Sequence, residues 1–201
     1  MVSYNKWSDI EAKKYISEYK QKGVNEDLAL RTYTARLLGN EPELVIHGGG
    51  NTSVKTIIKD LFGENIKVLC VKGSGWDLAT IEPEGHPAVE LEPLLKLKEL
   101  PHLTDEDMVS IQRKNLLNPK SPNPSVETLL HAFLPYKFID HTHSVALLSL
   151  ANQPDAEQIC LKIFGEEMVV VPYVMPGFDL AKLAYEIHQK SKLNADTKNI
   201  K

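Results

Sequence analysis

Two cysteines are all the sequence offers for disulfide or thiolate chemistry, Cys70 and Cys160, and each lies inside an apolar run ("VLCVK", "QICLKIF"). A disulfide framework is excluded on that count, and so is a paired-cysteine zinc site, because no C-x-x-C occurs. Buried free thiols suit a reducing compartment. Charge of one sign is scarce as well. The 23 Lys and Arg stand against 27 Asp and Glu, a net charge of −4, so no positive field draws the chain to nucleic acid or anionic lipid. Long hydrophobic runs are missing: nothing approaches the ~18 apolar residues of a membrane span, and "MVSYNKWSDIEAKK" has no signal-peptide pattern. The expectation is a cytoplasmic protein with neither nucleic acid nor membrane as a partner. Repeats and low-complexity tracts are lacking too, which leaves a single domain over 1–201.

What is present is an ordinary globular composition, 42% hydrophobic, enough for a full core. The periodicities predict helices over 7–21, opened by Ser8-Asp9, and over 25–38, opened by Asn25 with Glu26-Asp27 in its first turn. A short strand is expected at Leu44–His47, then strands in "TSVKTIIKD" and "NIKVLCVKG", and a strand and turn over 77–91. Helices follow at 92–99, at 105–117 with Thr104-Asp105 as its cap, and at 125–134 after "SPNPS". "YKFIDHTH" reads as a strand, "SVALLSLAN" and "AEQICLKIF" as helices, "EMVVVPY" as a strand, and "DLAKLAYEIHQKS" as a helix capped by Asp179. The order is not a regular βαβ alternation. It predicts an α/β fold whose central sheet is mixed and largely antiparallel, covered by helices.

Four stretches carry chemistry. "VIHGGGNTSVK" (45–55) has three consecutive glycines, yet it is neither a Walker A loop nor a GxGxxG fingerprint; it reads as a tight turn or an anion site. "VKGSGWDL" ends a strand in a second small loop, Gly73-Ser74-Gly75. "NPSVETLLH" places Ser125, Glu127 and His131 at a helix start, where serine caps, glutamate suits the helix dipole and His131 fits a core better than a ligand set. A glutamate beside a metal is also a plausible general base. "DHTH" puts His141 and His143 two apart, about 6.5 Å between Cα atoms on one face of a strand, close enough for both imidazoles to grip one cation or simply to be buried. Asp140 then faces the other way and suits an ion pair or a turn contact better than a third ligand position.

These motifs, in this order over about residues 25–190, resemble the class II aldolase/adducin family, and within it the aldolase part of bifunctional rhamnulose-1-phosphate aldolase/short-chain dehydrogenases. The resemblance implies a three-layer α/β/α fold. It implies that Gly50, Asn51 and Ser53 form a first phosphate-binding turn, that Ser74 and Gly75 form a second, and that Ser125 is a third contact. Many members have a second serine where this chain has Val126, which removes one hydroxyl. Glu127 matches the acid/base carboxylate, and His141 and His143 match two of three histidines on a divalent metal, usually zinc. The third lies in a later strand, in a His-Gly pair; the sequence ends at Lys201 before such a strand, and His188 has no matching context. The expectation is a fragment of a longer polypeptide, lacking the last strands of the sheet; a truncated gene product, or a metal held by two histidines plus some further ligand, are the other readings. Members commonly form tetramers with active sites at subunit contacts.

The implied activity is metal-dependent cleavage of a ketose 1-phosphate of the rhamnulose or fuculose type, giving dihydroxyacetone phosphate and an aldehyde. Glu127 would move the proton, its pKa raised by a dry site, while Lys55 and Lys72 lie on the surface or near the phosphate. A sugar-phosphate 4-epimerase or dehydratase of the same fold is the alternative within enzymes. A non-catalytic adducin-like module is the alternative outside them.

Overall fold

The computed structural model describes residues 5–191. Helix α1 (Asp9–Lys20) opens on Ser8, whose hydroxyl accepts the Glu11 N–H, and α2 (Glu26–Gly39) opens on Asn25, whose side chain accepts the Leu28 N–H. Both caps satisfy backbone donors that a helix start leaves orphaned. The chain then enters β1 (Asn51–Lys59), turns at Asp60–Glu64 and returns as β2 (Asn65–Val71). The Asp60 carboxylate fixes that turn by accepting the N–H groups of Phe62 and Glu64. With β3 (Ala88–Glu90) and β4 (Phe138–His141) the strands lie in the order β3-β2-β1-β4. Every pairing is antiparallel, so the parallel component expected of a mixed sheet is absent among the described residues.

Alternation along β2 separates the layers. Val68 and Cys70 turn to one face with Val54, against Leu28 of α2. Leu69 and Val71 turn to the other, into the main core. That core is built by α3 (Leu91–Lys96), α4 (Asp105–Lys114), α5 (Thr128–Phe133) and α8 (Phe178–Lys190), with Phe133 meeting Phe178 edge-on at 6.4 Å. Helices thus cover both faces of the sheet, and α6 (Val145–Ala151) and α7 (Ala156–Phe164) pack on each other. No helix among the described residues is long and apolar enough to cross a membrane.

Several elements differ from the sequence reading. Residues 44–47 form a turn rather than a strand, and 77–91 contribute only β3 after a 3-10 turn at Pro83–Gly85. The helix expected over 92–99 tightens to 3-10 geometry at Leu97–Glu99, and the one expected over 105–117 ends at Lys114. "EMVVVPY" is in no strand: valine runs favour extended backbone, but a strand also needs a neighbouring ladder. Helix α8 is preceded by Gly177, with Asp179 in its first turn rather than at the cap. The family's third histidine, expected after this helix, would fall outside the described residues.

Candidate active site

The glycine loop gains its shape from left-handed backbone. Gly50 sits at φ +64°, and a Cβ there would stand 2.6 Å from the His141 carbonyl oxygen. Only glycine lets β1 begin that close to the end of β4. The loop is tied at both sides: the Gly48 N–H donates to Asp77 Oδ2 at 3.0 Å, and Lys72 Nζ donates to the Gly48 carbonyl at 2.9 Å.

Lys72 is a hub that the sequence reading underestimated. Its backbone N–H reaches the Thr52 carbonyl, its own carbonyl accepts the Ser125 N–H, and its ammonium holds Gly48, so one residue joins three separate segments. It is buried rather than on the surface. Burial lowers its pKa, and the nearby Asp77 and Glu127 carboxylates pull it back up. Beyond it, Ser74 donates its N–H to Asn123, and Gly73 bridges Pro124, zipping the second small loop onto the "SPNPS" segment. Lys55 departs from expectation in another way. Its ammonium donates to the carbonyls of His131, Leu134 and Tyr136, so it ties down the C-terminal end of α5 and takes no part in the cavity.

Ser125 and Glu127 precede α5 instead of lying inside it, because the helix starts at Thr128. The Ser125 hydroxyl accepts the Glu127 N–H at 3.2 Å, a local turn that competes with the first helical turn. This turn aims Glu127 at β4. The β1–β4 register sets Asn51 directly opposite His141, where cross-strand side chains touch. There Glu127 Oε2 lies 2.9 Å from His141 Nδ1, and the Asn51 amide donates to the same Oε2 and also reaches Ser125 Oγ. Burial by itself would raise the Glu127 pKa. The hydrogen bond and charge of His141 and the Asn51 amide outweigh it, so the carboxyl sits below its ordinary value. The expected upward shift is therefore corrected: the site is polar, and its donors favour the carboxylate.

His143 lies past the end of β4, where its N–H donates to the Leu44 carbonyl at 2.7 Å. Its ring stands 4.8 Å from that of His141, centroid to centroid. A cavity of about 490 Å³ opens here. Gly50, Asn51, Ser74, Gly75, Ser125, Glu127, His141 and His143 all line it. Lys72, Val126 and Pro176 line it as well, and Pro176 was visible in the sequence only as part of "VMPG". Ser53 is a correction. It points to the same side as Asn51 but two residues deeper, fully buried, with Oγ 2.7 Å from His131 Nδ1, and it does not reach the cavity. His131 is accordingly a core histidine, and burial pushes its pKa down to about 3. Asp140 faces the other way and pairs with buried Arg31 at 2.6 Å.

The sequence profile of the "Class II Aldolase and Adducin N-terminal domain" matches residues 30–197. The chain belongs to the class II aldolase and adducin family. A solved structure, the N-terminal class II aldolase domain of a conserved protein from Thermoplasma acidophilum, is 46% identical, with a TM-score of 0.75 over 80% of this chain and 74% of that one. The curated "Uncharacterized oxidoreductase YuxG" of Bacillus subtilis (strain 168) is 44% identical over 168 residues. Those residues are 82% of this chain and 23% of that protein, so the chain spans about a quarter of its curated relative.

Class II aldolases generally use a divalent metal, and the cavity offers two suitable donors. His141 has its Nδ1 engaged by Glu127, which leaves Nε2 for a cation, and the His143 ring lies beside it. Neutral imidazole suits zinc and similar ions. Among the described residues no group of three His, Cys, Asp or Glu side chains converges as a metal site, so the pair fits as part of a ligand set.

Proposed function

We propose that the chain acts as a metal-dependent sugar-phosphate aldolase, cleaving a ketose 1-phosphate of the rhamnulose or fuculose type to dihydroxyacetone phosphate and an aldehyde. One observation carries this reading: a carboxylate, two imidazoles, a glycine-asparagine loop and a glycine-serine loop face one cavity of about 490 Å³, the size of a small-metabolite site. Gly50, Ser74, Gly75 and Ser125 offer N–H and hydroxyl donors to a phosphate, and Lys72 adds a cation at the floor. Held at that end, the substrate presents its carbonyl end to Glu127 and the histidines. Zinc or a related divalent ion on His141 and His143 would supply Lewis acidity toward the carbonyl and hydroxyl oxygens. Cleavage takes a proton from the hydroxyl beyond the scissile bond and leaves an electron pair on the carbon beside the carbonyl. Ionised Glu127 accepts the proton released in the cleavage and delivers it to that carbon. Its lowered pKa keeps it ionised and ready to accept one at neutral pH. A homotetramer is part of the same proposal.

The test is a retro-aldol assay on L-rhamnulose 1-phosphate, with and without EDTA, beside Glu127→Gln. Activity abolished by chelation and restored by zinc supports the reading, as does a fall of at least a hundredfold in Glu127→Gln, the scale typical of losing a general base. Activity indifferent to both treatments rules it out. A second reading, a non-catalytic module, is favoured by the lack, among the described residues, of three converging metal-ligating side chains. Purified chain without bound metal, and with no turnover, would select it.

A further inference from the structure

The contact between Glu127 and His141 does work separate from proton transfer. A carboxylate oxygen can only accept a hydrogen bond, and an amide NH2 can only donate. Oε2 of Glu127 faces His141 Nδ1 at 2.9 Å and also takes the Asn51 amide, while that amide lies 3.2 Å from the same Nδ1. The arrangement balances only if Oε2 is the shared acceptor and the His141 Nδ1 carries hydrogen. Reversing the Asn51 amide would set its carbonyl oxygen against the carboxylate. In the observed orientation that oxygen is buried without a protein partner.

We propose that Glu127 is a positioning residue for His141, with Oε2 holding the ring as its Nδ1–H tautomer so that the Nε2 lone pair is presented to a divalent cation, while Oε1 is left for proton transfer. The proposal rests on reading His141 and His143 as metal ligands. The backbone supports it. The Asn51–His141 register pair and the close approach of Gly50 to the His141 carbonyl fix the base of the ring, and the Ser125 turn fixes the carboxylate. A metal-bound histidine ordinarily donates its other ring N–H to such an acceptor, and removing the acceptor costs roughly ten- to a hundredfold in metal affinity. Asn51 is then a clamp between carboxylate and ring, which revises its expected role as a phosphate contact.

Glu127→Gln and Glu127→Ala separate the two jobs, because the glutamine oxygen still accepts from Nδ1–H but cannot move a proton. Long-range proton–nitrogen NMR of the metal-free protein at pH 8, with His141 assigned through His141→Asn, reads the tautomer directly. Wild type and Glu127→Gln should both show Nδ1–H, and Glu127→Ala should shift toward Nε2–H. Zinc titration of the same proteins should give similar affinity for the first two and a roughly ten- to hundredfold loss for the third. Circular dichroism melts establish that each variant is folded. A wild-type ring in the Nε2–H form, or Glu127→Ala with unchanged tautomer and zinc affinity, overturns the proposal. A wild type with the Nδ1–H ring that takes no zinc removes the metal reading and the cation half of the proposal, while the orienting contact stands.

Discussion

At the scale of single residues the site depends on close approaches that few side chains survive. Gly50→Ala combines left-handed backbone with a Cβ 2.6 Å from the His141 carbonyl oxygen, and should cost about 2–4 kcal/mol in urea unfolding. Gly63→Ala, also left-handed at φ +85° but with nothing within 4 Å, should cost only about 1 kcal/mol. Equal losses would refute the steric part of the argument. Lys72 carries the one cation of the cavity wall among the described residues. Lys72→Met should raise KM for a phosphorylated substrate about ten- to a hundredfold and change kcat less, the signature of a lost charge-assisted contact. An unaltered KM would leave Lys72 with its structural role alone. Nothing in "VKGSG" signals that role or reveals that one lysine will reach back across the sheet to Gly48.

At the scale of elements, caps were legible and helix starts built by turns were not. Ser8, Asn25 and Thr104 all accept hydrogen bonds from N–H groups three residues on, as a local code of four residues predicts. Helix α5 begins late because Ser125 spends its hydroxyl on Glu127 one turn too early, a competition visible only once Lys72 holds the Ser125 N–H. The same helix ends on Lys55, whose three carbonyl contacts replace a glycine stop; burial brings its ammonium down to about 8, so it stays charged at neutral pH. Lys55→Met strands those carbonyls and should lower stability by about 2–4 kcal/mol by urea unfolding. A loss under 1 kcal/mol would show that water replaces the ammonium.

At the scale of the whole molecule, two histidines are buried between layers in neutral form. His86 meets Thr52 at 3.0 Å and His131 meets Ser53 at 2.7 Å, and burial pushes both pKa values down to about 3. Unfolded histidine takes up a proton near 6.5, so between that value and about 3 the unfolded chain binds more protons, and acid favours unfolding. Stability is complete above about pH 6.5 and should fall by about 1 kcal/mol per histidine for each pH unit below it. Urea midpoints at pH 7 and pH 5 measure this, and His86→Gln should flatten the slope. A pH-independent midpoint would show that water reaches these rings.

The sequence alone determined the residue types, the order of the four motifs and the alternation that assigns each side chain of β1, β2 and β4 to a face, since these follow from local stereochemistry. Asp140 turning away from the histidines is one consequence, and its pairing with Arg31 agrees with it. Only the tertiary structure decided how far each motif residue reaches. Asn51 and Ser53 share a face, yet the first meets His141 at the cavity and the second ends against His131 inside the core. Strand register and the late start of α5 set that difference, and both arise from contacts among segments about 70 to 90 residues apart, which no local pattern encodes.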